Sequence, residues 1–205
     1  MARLIGNDEH ISAAANNADS FRVLRGRVSV LKKAPDVRLM PYLELAGFGS
    51  VALIRSFDLR FDILSALLGL PIDGSSVTGV SAFTDPAAFC YQLLGDSPKD
   101  GESYFSGIKF TWLKAKIGQL SANASEGELM CAARGYIMHM IGVVLMLDAN
   151  GDSVHLMYLP LLADLSTARS YSWGSTVLAM LYRELCRETK PKVHDIGGCL
   201  ILLQS

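Results

Sequence analysis

The clearest helical pattern in the sequence runs from Tyr171 to Lys190. At 3.6 residues per turn its apolar side chains fall on one broad face. Glu184 and Glu188 project near that face, so they should lie at its rim or pair with a base from another helix. A hydroxyl of Ser170 or Ser172 can cap the helix start, and Pro191 ends it. The rest of the chain is expected to cover this face, which consists of Trp173, Val177, Leu178, Leu181, Tyr182 and Leu185.

A second helix is predicted from Glu126 to about Leu147. Ser125 and Glu128 form a capping box at its start. Beyond Tyr136 the pattern is apolar nearly all round, which predicts the central, most buried helix of the fold, with His139 as a core histidine that makes one hydrogen bond. The apolar stretch is too short to span a membrane, which takes about 20 residues. Two glycines indicate a close helix crossing, namely Gly135 and Gly142.

Shorter patterns complete a mainly α fold, a compact domain of about seven helices. Asp85 and Pro86 start one helix and Gly95 ends it. Pro71 and the Asp73-Gly74 pair force a turn. The segment from Val154 to Leu165 reads as a short strand or as a helical turn broken by Pro160, so a minor β segment is expected near 154–159. Further helical patterns lie at 36–47, 51–54, 58–68, 108–117 and 196–204.

Composition points to one domain in a reducing compartment. The chain has 205 residues, half of them hydrophobic, and a formal net charge of −1, which gives no global case for nucleic acid or an anionic membrane. The first ten residues hold no long apolar run, so no secretory signal is predicted. Residues 1–21 are expected to form a flexible arm and residues 22–205 the domain. The cysteines show no CxxC pairing and are read as buried thiols: Cys90, Cys131, Cys186 and Cys199.

One segment is locally basic and offers a strip for phosphate or for a partner protein. It carries no interleaved aromatic residues and no DNA-reading motif, so a solvated face is the favoured interpretation and nucleic-acid contact the alternative. The strip consists of Arg22, Arg25, Arg27, Lys32, Lys33 and Arg38.

No stretch carries convincing catalytic chemistry. Gly69 to Ser76 has the glycine spacing of a phosphate-binding loop, but it lacks the lysine, and Pro71 removes a backbone donor. A segment from Asp148 has the acidic spacing of the first half of a calcium-binding loop, with Asn150 and Asp152 at the third and fifth positions. The sixth position is Ser153 instead of glycine, and the twelfth is not Glu. We therefore expect no enzyme activity, no catalytic residue, no cofactor, no metal site, no membrane binding and no small-molecule substrate.

Taken in order, the blocks from Arg22 onward resemble the plant mobile domain family. No single block would be enough alone. The blocks are RVLRGRVSVLKKAPDVRLMPYLELAGFGSVALIRSFDLRFDILSAL, LGLPIDG, FTWLKAKIGQL, ARGYIMHMIGVVLMLDANGDSVHLMYLPLLADL, YSWGSTVLAMLYRELCR and IGGCLILLQ. The residues of these blocks that we assign to structure are Gly69, Pro71, Asp73, Gly74, Trp173, Gly174, Tyr182 and Arg183.

The resemblance implies a helical domain found in plant transposable elements and in nuclear host proteins derived from them. Such proteins are linked to meristem maintenance, transposon silencing and gene expression. Some carry or act with a serine/threonine phosphatase-like part, as in the phosphatase 7 long form homologues, and some are labelled aminotransferase-like. The family has no established catalytic residues to transfer, and no residue here supports an aminotransferase.

Two departures from the family pattern indicate a shortened domain. The family has a tryptophan-containing segment and an extended pair between the helix at 57–67 and the LGLPIDG block, whereas here Leu67 runs straight into Leu68 and Gly69. The family also continues after the LLQ block with an aromatic helix. Losing several hundred Å² of burial costs several kcal/mol at about 25 cal/mol per Å² and exposes apolar residues such as Ile201 to Leu203.

Three hypotheses follow. The first is a non-enzymatic nuclear interaction module with a protein partner, acting in meristem development and transposon silencing. The second is an inactive transposon-derived or mis-spliced fragment, which the two departures suggest. The third is a regulatory module that acts with a phosphatase-like partner.

Overall fold

The computed structural model describes residues 31, 33–53, 69–79, 83–98, 105–146 and 151–188. The predicted N-terminal arm and the predicted helices at 58–68 and 196–204 lie outside these ranges. The described part is mainly helical, as predicted, with one small sheet. Its α-helices are α1 (Met40–Leu45), α2 (Gly49–Ala52), α3 (Pro86–Leu94), α4 (Phe110–Gly118), α5 (Glu126–Met140), α6 (Leu165–Ala168) and α7 (Trp173–Glu188).

The predicted central helix is confirmed as α5, which continues as a π-helical turn over Ile141–Leu145. Its capping box is formed, since the Ser125 N–H donates to Glu128 Oε2 at 2.8 Å and the Glu128 N–H donates to Ser125 Oγ at 3.4 Å. By length and composition Glu126–Leu145 could cross a membrane, but 72% of its most apolar window is buried inside the fold. Burial to this extent is typical of the core helix of a folded domain.

The glycine crossings were predicted correctly at one position of two. A Cβ atom on Gly142 would lie 2.5 Å from Phe110 Cε1 and 2.8 Å from Val154 Cβ, so only glycine admits both neighbours. At Gly135 the nearest atom is Leu113 Cδ2 at 3.9 Å, which is ordinary contact and does not require glycine.

A two-stranded antiparallel sheet joins two distant segments of the chain. Its strands are β1 (Gly107–Lys109) and β2 (Ser153–His155), with buried Ile108 opposite buried Val154. The minor β segment near 154–159 is thus confirmed in part, since a 3-10 helix, Leu156–Leu162, follows β2 and contains Pro160. The prediction of a helix from Ile108 was wrong by two residues, because Ile108 and Lys109 pair with β2 before α4 begins.

The predicted start and stop signals of α3 are confirmed. Asp85 caps α3 by accepting from the Ala88 N–H at 2.9 Å, and Gly95 ends that helix with a φ of 73°. Asp36 accepts from the Arg38 N–H at the start of a 3-10 turn, Val37–Leu39, that leads into α1. Pro41 lies in the first turn of α1, where a missing N–H costs nothing.

A buried arginine on α5, unnoticed in the sequence, connects three elements. The guanidinium of Arg134 donates to the carbonyl oxygens of Leu162 and Ala163, both at 2.9 Å, and to that of Leu93 at 3.4 Å. Arg134 is only 7% exposed, so these carbonyl groups replace the water molecules that would otherwise solvate its charge. Arg134 therefore fixes the 3-10 helix and the end of α3 against α5.

Candidate functional site

The LGLPIDG block and the start of α7 meet in one tightly bonded contact, which we call the junction (residues 69–75 with 170–175). The Ser75 N–H donates to the Ser170 carbonyl and the Ser172 N–H donates back to the Ser75 carbonyl, both at 2.9 Å. The Gly174 N–H donates to the Pro71 carbonyl at 2.8 Å. Six of the eight residues assigned from the family blocks thereby lie in one place, namely Gly69, Pro71, Asp73, Gly74, Trp173 and Gly174.

Two of these residues are glycines at which loop and helix approach closely. Gly74 has a φ of 131°, which side-chain-bearing residues rarely adopt, and a Cβ there would collide with the Ser170 carbonyl oxygen. A Cβ on Gly174 would lie 2.9 Å from Ile72 Cγ2 and 3.2 Å from the Pro71 oxygen. Gly74 is therefore required for the approach of the two backbones, whereas a side chain at position 174 would force Ile72 and the loop backbone to shift.

Trp173 anchors the junction to the core. Its side chain is fully buried, and its indole Nε1–H donates to the Ala168 carbonyl at 2.8 Å, which satisfies the one polar group of the ring. The ring of Phe48 meets it edge-on with centroids 5.2 Å apart. Trp173 thus links α7 to the segment between α1 and α2 and to the end of α6.

The start of α7 is capped by the loop backbone, contrary to the prediction of a serine cap. The Ser170 hydroxyl donates to the Thr167 carbonyl at 2.7 Å, and the Ser172 hydroxyl donates to the Ser75 carbonyl at 3.1 Å. The Ser172 hydroxyl is thus bonded to the loop and not to its own helix. In its place the Pro71 carbonyl accepts from the Gly174 N–H in the first turn.

The predicted broad apolar face of α7 is covered only in part. Trp173, Val177 and Leu181 are buried as expected. The remaining apolar positions of the face are exposed, and Ile72 of the loop lies beside the helix at Gly174. We call these side chains the outer stripe: Ile72 at 59% exposure, Leu178 at 53%, Tyr182 at 71% and Leu185 at 37%.

Charged residues at the far end of α7 take an unexpected arrangement. Glu184, predicted at the rim or paired with a base from another helix, is buried, and its Oε1 lies 3.6 Å from Nη2 of Arg183 in the same helix. The Arg183 side chain is 69% exposed. The two remaining family-block residues, Tyr182 and Arg183, therefore lie on the surface two turns beyond the junction.

The basic strip is described only at its C-terminal end. Lys33 is exposed, whereas Arg22, Arg25, Arg27 and Lys32 lie outside the described residues. The Arg38 guanidinium donates to both oxygens of Asp36, at 3.0 and 2.7 Å, and to the carbonyls of Ser121 and Ala122. These bonds to Arg38 lower the pKa of Asp36 to about 2. Arg38 is thus used within the fold, and nucleic-acid contact by the strip stays a prediction.

A groove of about 400 Å³ adjoins Lys33, between the segment before α1 and helix α4. Apolar side chains form most of its lining, and its charged residues are two lysines and Asp36, whose carboxylate is paired with Arg38. A concave apolar surface with cationic groups suits a ligand that carries apolar and acidic groups. The lining of the groove includes Leu31, Lys33, Leu39, Lys114, Ile117 and Tyr136.

His139 is a core residue, as predicted, but its predicted hydrogen bond is not seen at Nε2. That atom has no hydrogen-bond partner among the described residues, and the ring meets Phe110 edge-on with centroids 5.8 Å apart. Burial first, and the nearby charge of Lys114 second, lower the pKa of His139 to about 4. The side chain is therefore neutral at physiological pH.

The cysteine thiols were predicted to be buried, but the described ones differ in exposure. Cys90 is fully buried, and burial raises the pKa of its thiol to about 12. Cys131 is half-buried and Cys186 is exposed, so burial is confirmed only for Cys90, while Cys199 lies outside the described residues. Within the described ranges no group of three or more His, Cys, Asp and Glu residues is placed to hold a metal ion.

Comparison with known sequences gives a consistent family assignment. The sequence profile of the family described as Plant mobile domain matches residues 62–205. Three relatives from Arabidopsis thaliana are similar to this chain. Serine/threonine-protein phosphatase 7 long form homolog is 38% identical over 141 positions, which cover 69% of this chain and 10% of the relative.

The other two relatives cover nearly all of this chain. Protein MAIN-LIKE 2 is 36% identical across 98% of the chain and 35% of its own length. Protein MAINTENANCE OF MERISTEMS is 30% identical across the whole chain and 49% of its own length. The chain thus spans half or less of the length of these three relatives. No solved structure matches it.

The alignment with Protein MAINTENANCE OF MERISTEMS is longer than this chain. It has 236 positions, whereas the chain has 205 residues, so at least 31 positions of the relative have no counterpart here.

Proposed function

Because the chain belongs to the plant mobile domain family, we propose that it is a nuclear protein-interaction module that acts in meristem maintenance and is not an enzyme. The observation that carries this proposal is similarity along nearly the whole chain to two relatives, one of which is named for the maintenance of meristems. The proposal includes a part in silencing transposable elements or in controlling gene expression, as the family resemblance implies.

The groove beside Lys33 supports the interaction part of the proposal. Its apolar lining can bury a partner's apolar side chains, and Lys33 and Lys114 can meet acidic groups at the edge. A partner segment that combines apolar and acidic residues fits this surface.

The experiment expresses the tagged full chain in plant meristem cells and measures its location and its co-purified nuclear proteins. We expect nuclear enrichment and a partner whose recovery falls about tenfold in the Lys33→Glu/Lys114→Glu variant, because like charges then oppose. Lys109→Glu is the matched control, since Lys109 is an exposed lysine on β1 outside the groove. Recovery outside nuclei, or equal loss in both variants, contradicts the proposal.

A second candidate is a regulatory module that acts with a serine/threonine phosphatase-like partner. It is favoured by the similarity to the phosphatase 7 long form homolog, of which this chain covers only a tenth. The test compares dephosphorylation of a phosphoserine peptide by the purified chain alone and by the chain with its co-purified partner. Activity only in the second sample supports this candidate, and activity of the chain alone overturns the proposal that it is not an enzyme.

The hypothesis of an inactive fragment is supported by the alignment with Protein MAINTENANCE OF MERISTEMS, in which at least 31 positions of the relative have no counterpart in this chain. A thermal melt followed by circular dichroism separates it from the module. One cooperative transition from a helical baseline supports a packed domain, whereas a broad and featureless melt supports an inactive fragment.

A further inference from the structure

The groove beside Lys33 is built from separate parts of the chain. One wall is the segment 31–39, and the other consists of α4 and the residues that follow it up to Leu120. The buried side chain of Tyr136 on α5 also lines the groove. Because the two walls are far apart in sequence, the width of the groove depends on the contacts that hold them together.

Arg38 makes hydrogen bonds to both walls at once. Its Nε and Nη2 donate to the two carboxylate oxygens of Asp36 in the first wall, at 3.0 and 2.7 Å. Its Nη1 donates to the carbonyl oxygens of Ser121 and Ala122, which follow the second wall directly, at 3.0 and 2.6 Å. The planar guanidinium suits this arrangement, because its N–H donors diverge in fixed directions. We call these bonds of Arg38 to Asp36, Ser121 and Ala122 the clasp.

The groups that the clasp joins are themselves tied to the fold. The carbonyl of Asp36 accepts from the N–H of Leu39 at 2.9 Å, and the side chain of Leu39 is buried in the core. On the other side, the carbonyl of Ser121 also accepts from the N–H of Ala124 at 3.2 Å, in the turn that leads to α5. The clasp therefore links two anchored segments across the edge of the groove.

The clasp also settles the charge of the lining. Asp36 lines the groove, and a free carboxylate there would repel an acidic occupant. Both of its oxygens instead accept from the guanidinium of Arg38. The lysines Lys33 and Lys114 then give the lining its positive character.

The clasp should matter more for binding than for folding. The side chains of Arg38 and Asp36 are 31% and 34% exposed, and ion pairs near the surface add little to the free energy of unfolding. Holding a binding surface in one geometry, in contrast, removes part of the entropy cost that an occupant otherwise meets.

We infer that Arg38 is a positioning residue that sets the width of the groove for an occupant with apolar and acidic groups. It acts through the clasp and not by contact with the occupant. The inference rests on the proposed function, since it takes the groove as the binding surface.

The test titrates the full chain with anilinonaphthalene sulfonate, a probe with apolar rings and one acidic group. NMR shifts of the amides of Lys33, Lys114 and Ile117 report binding in the groove, so binding elsewhere is not counted. Arg38→Lys is the decisive variant, because lysine keeps the charge but lacks the planar set of donors that reaches both walls. Arg183→Ala is the matched control, since Arg183 is an exposed arginine on α7.

We expect Arg38→Ala to lower the affinity for the probe about tenfold and Arg38→Lys about fivefold, with a change below about twofold in the control. Urea midpoints should move little in all three variants. Full affinity in Arg38→Lys overturns the inference, because charge alone would then suffice. Full affinity in Arg38→Ala, no binding at these amides in the wild type, or a loss explained by unfolded chain overturns it too.

A second measurement needs no probe. Backbone order parameters from NMR relaxation should fall at Ser121 and Ala122 in Arg38→Ala and stay unchanged in the control. Unchanged values in Arg38→Ala contradict the clasp. Nuclear location and partner recovery of the wild-type chain test the proposed function without any Arg38 variant, so the two failures are distinguishable.

Discussion

The two halves of α7, residues 173–180 and 181–188, share one apolar periodicity but have different surroundings. In the first half, Trp173 is fully buried and Gly174 is bonded to the loop at 69–75. In the second half, Tyr182 is 71% exposed, and the buried positions include a glutamate, Glu184. Helical periodicity is the same throughout, so it predicts which residues share a face but not whether another element covers that face.

The difference comes from neighbours that are distant in sequence. The first half receives the Pro71 and Ser75 carbonyls and the ring of Phe48, all from segments about a hundred residues earlier. The second half has no such loop against its outer side among the described elements. We therefore expect stability to depend on the first half and to be nearly insensitive to the charged surface of the second.

The largest expected effect is loss of the anchor of the first half. Trp173→Ala should lower the free energy of unfolding by about 4 kcal/mol, because it removes a fully buried ring and its contact with Phe48. The measurement is the urea midpoint followed by far-ultraviolet circular dichroism. A loss below about 1 kcal/mol would show that the junction does not hold α7 in place.

Acidification should lower the free energy of unfolding through the buried His139. The unfolded chain takes up a proton on His139 below about pH 6.5 and the folded chain only near pH 4, so stability falls as the pH is lowered through that window. The loss is about 3 kcal/mol at the acid end. Unfolding titrations at several pH values should show this slope in the wild type and a smaller one in His139→Gln. Equal slopes would contradict the buried neutral state.

A smaller effect is expected from closing the space at the junction. Gly174→Ala should destabilise by about 2 kcal/mol, since the new Cβ would crowd Ile72 and the Pro71 carbonyl. Gly127→Ala is the matched control, because nothing lies within 4 Å of a Cβ there and alanine favours a helix. Thermal midpoints of the two variants should therefore move in opposite directions, and a shared direction would argue against close packing at Gly174.

The smallest effect is expected at the surface of the second half. Arg183→Ala should change the free energy of unfolding by less than about 0.5 kcal/mol, because the side chain is largely exposed and its contact with Glu184 is long. Chemical denaturation measures it beside Trp173→Ala. A loss comparable with that of Trp173→Ala would remove the contrast between the two halves.

Features set by a few adjacent residues were predictable from the sequence. The capping box at Ser125, the Asp85 cap and the glycine stop at Gly95 each need only a local side chain or a positive φ. The mainly helical class and the central position of α5 followed from periodicity over longer windows.

Features that depend on distant partners were missed. Ile108 belongs to a strand because β2 pairs with it, although its own neighbours in sequence look helical. Arg134 is buried because carbonyl groups 28 to 41 residues away accept from it. At the candidate site, the family blocks named the junction residues, but only the fold brings Gly74 against Ser170 and leaves Tyr182 exposed.

The central claim is that the junction, and not the outer half of α7, holds this helix in the fold. Native-state amide hydrogen exchange of the wild-type chain tests it most directly. We predict that the amides of Ser75, Ser172 and Gly174 exchange only through global unfolding, because each is bonded across the junction. Fast exchange of these three amides, in a chain whose α5 amides stay protected, would contradict the claim.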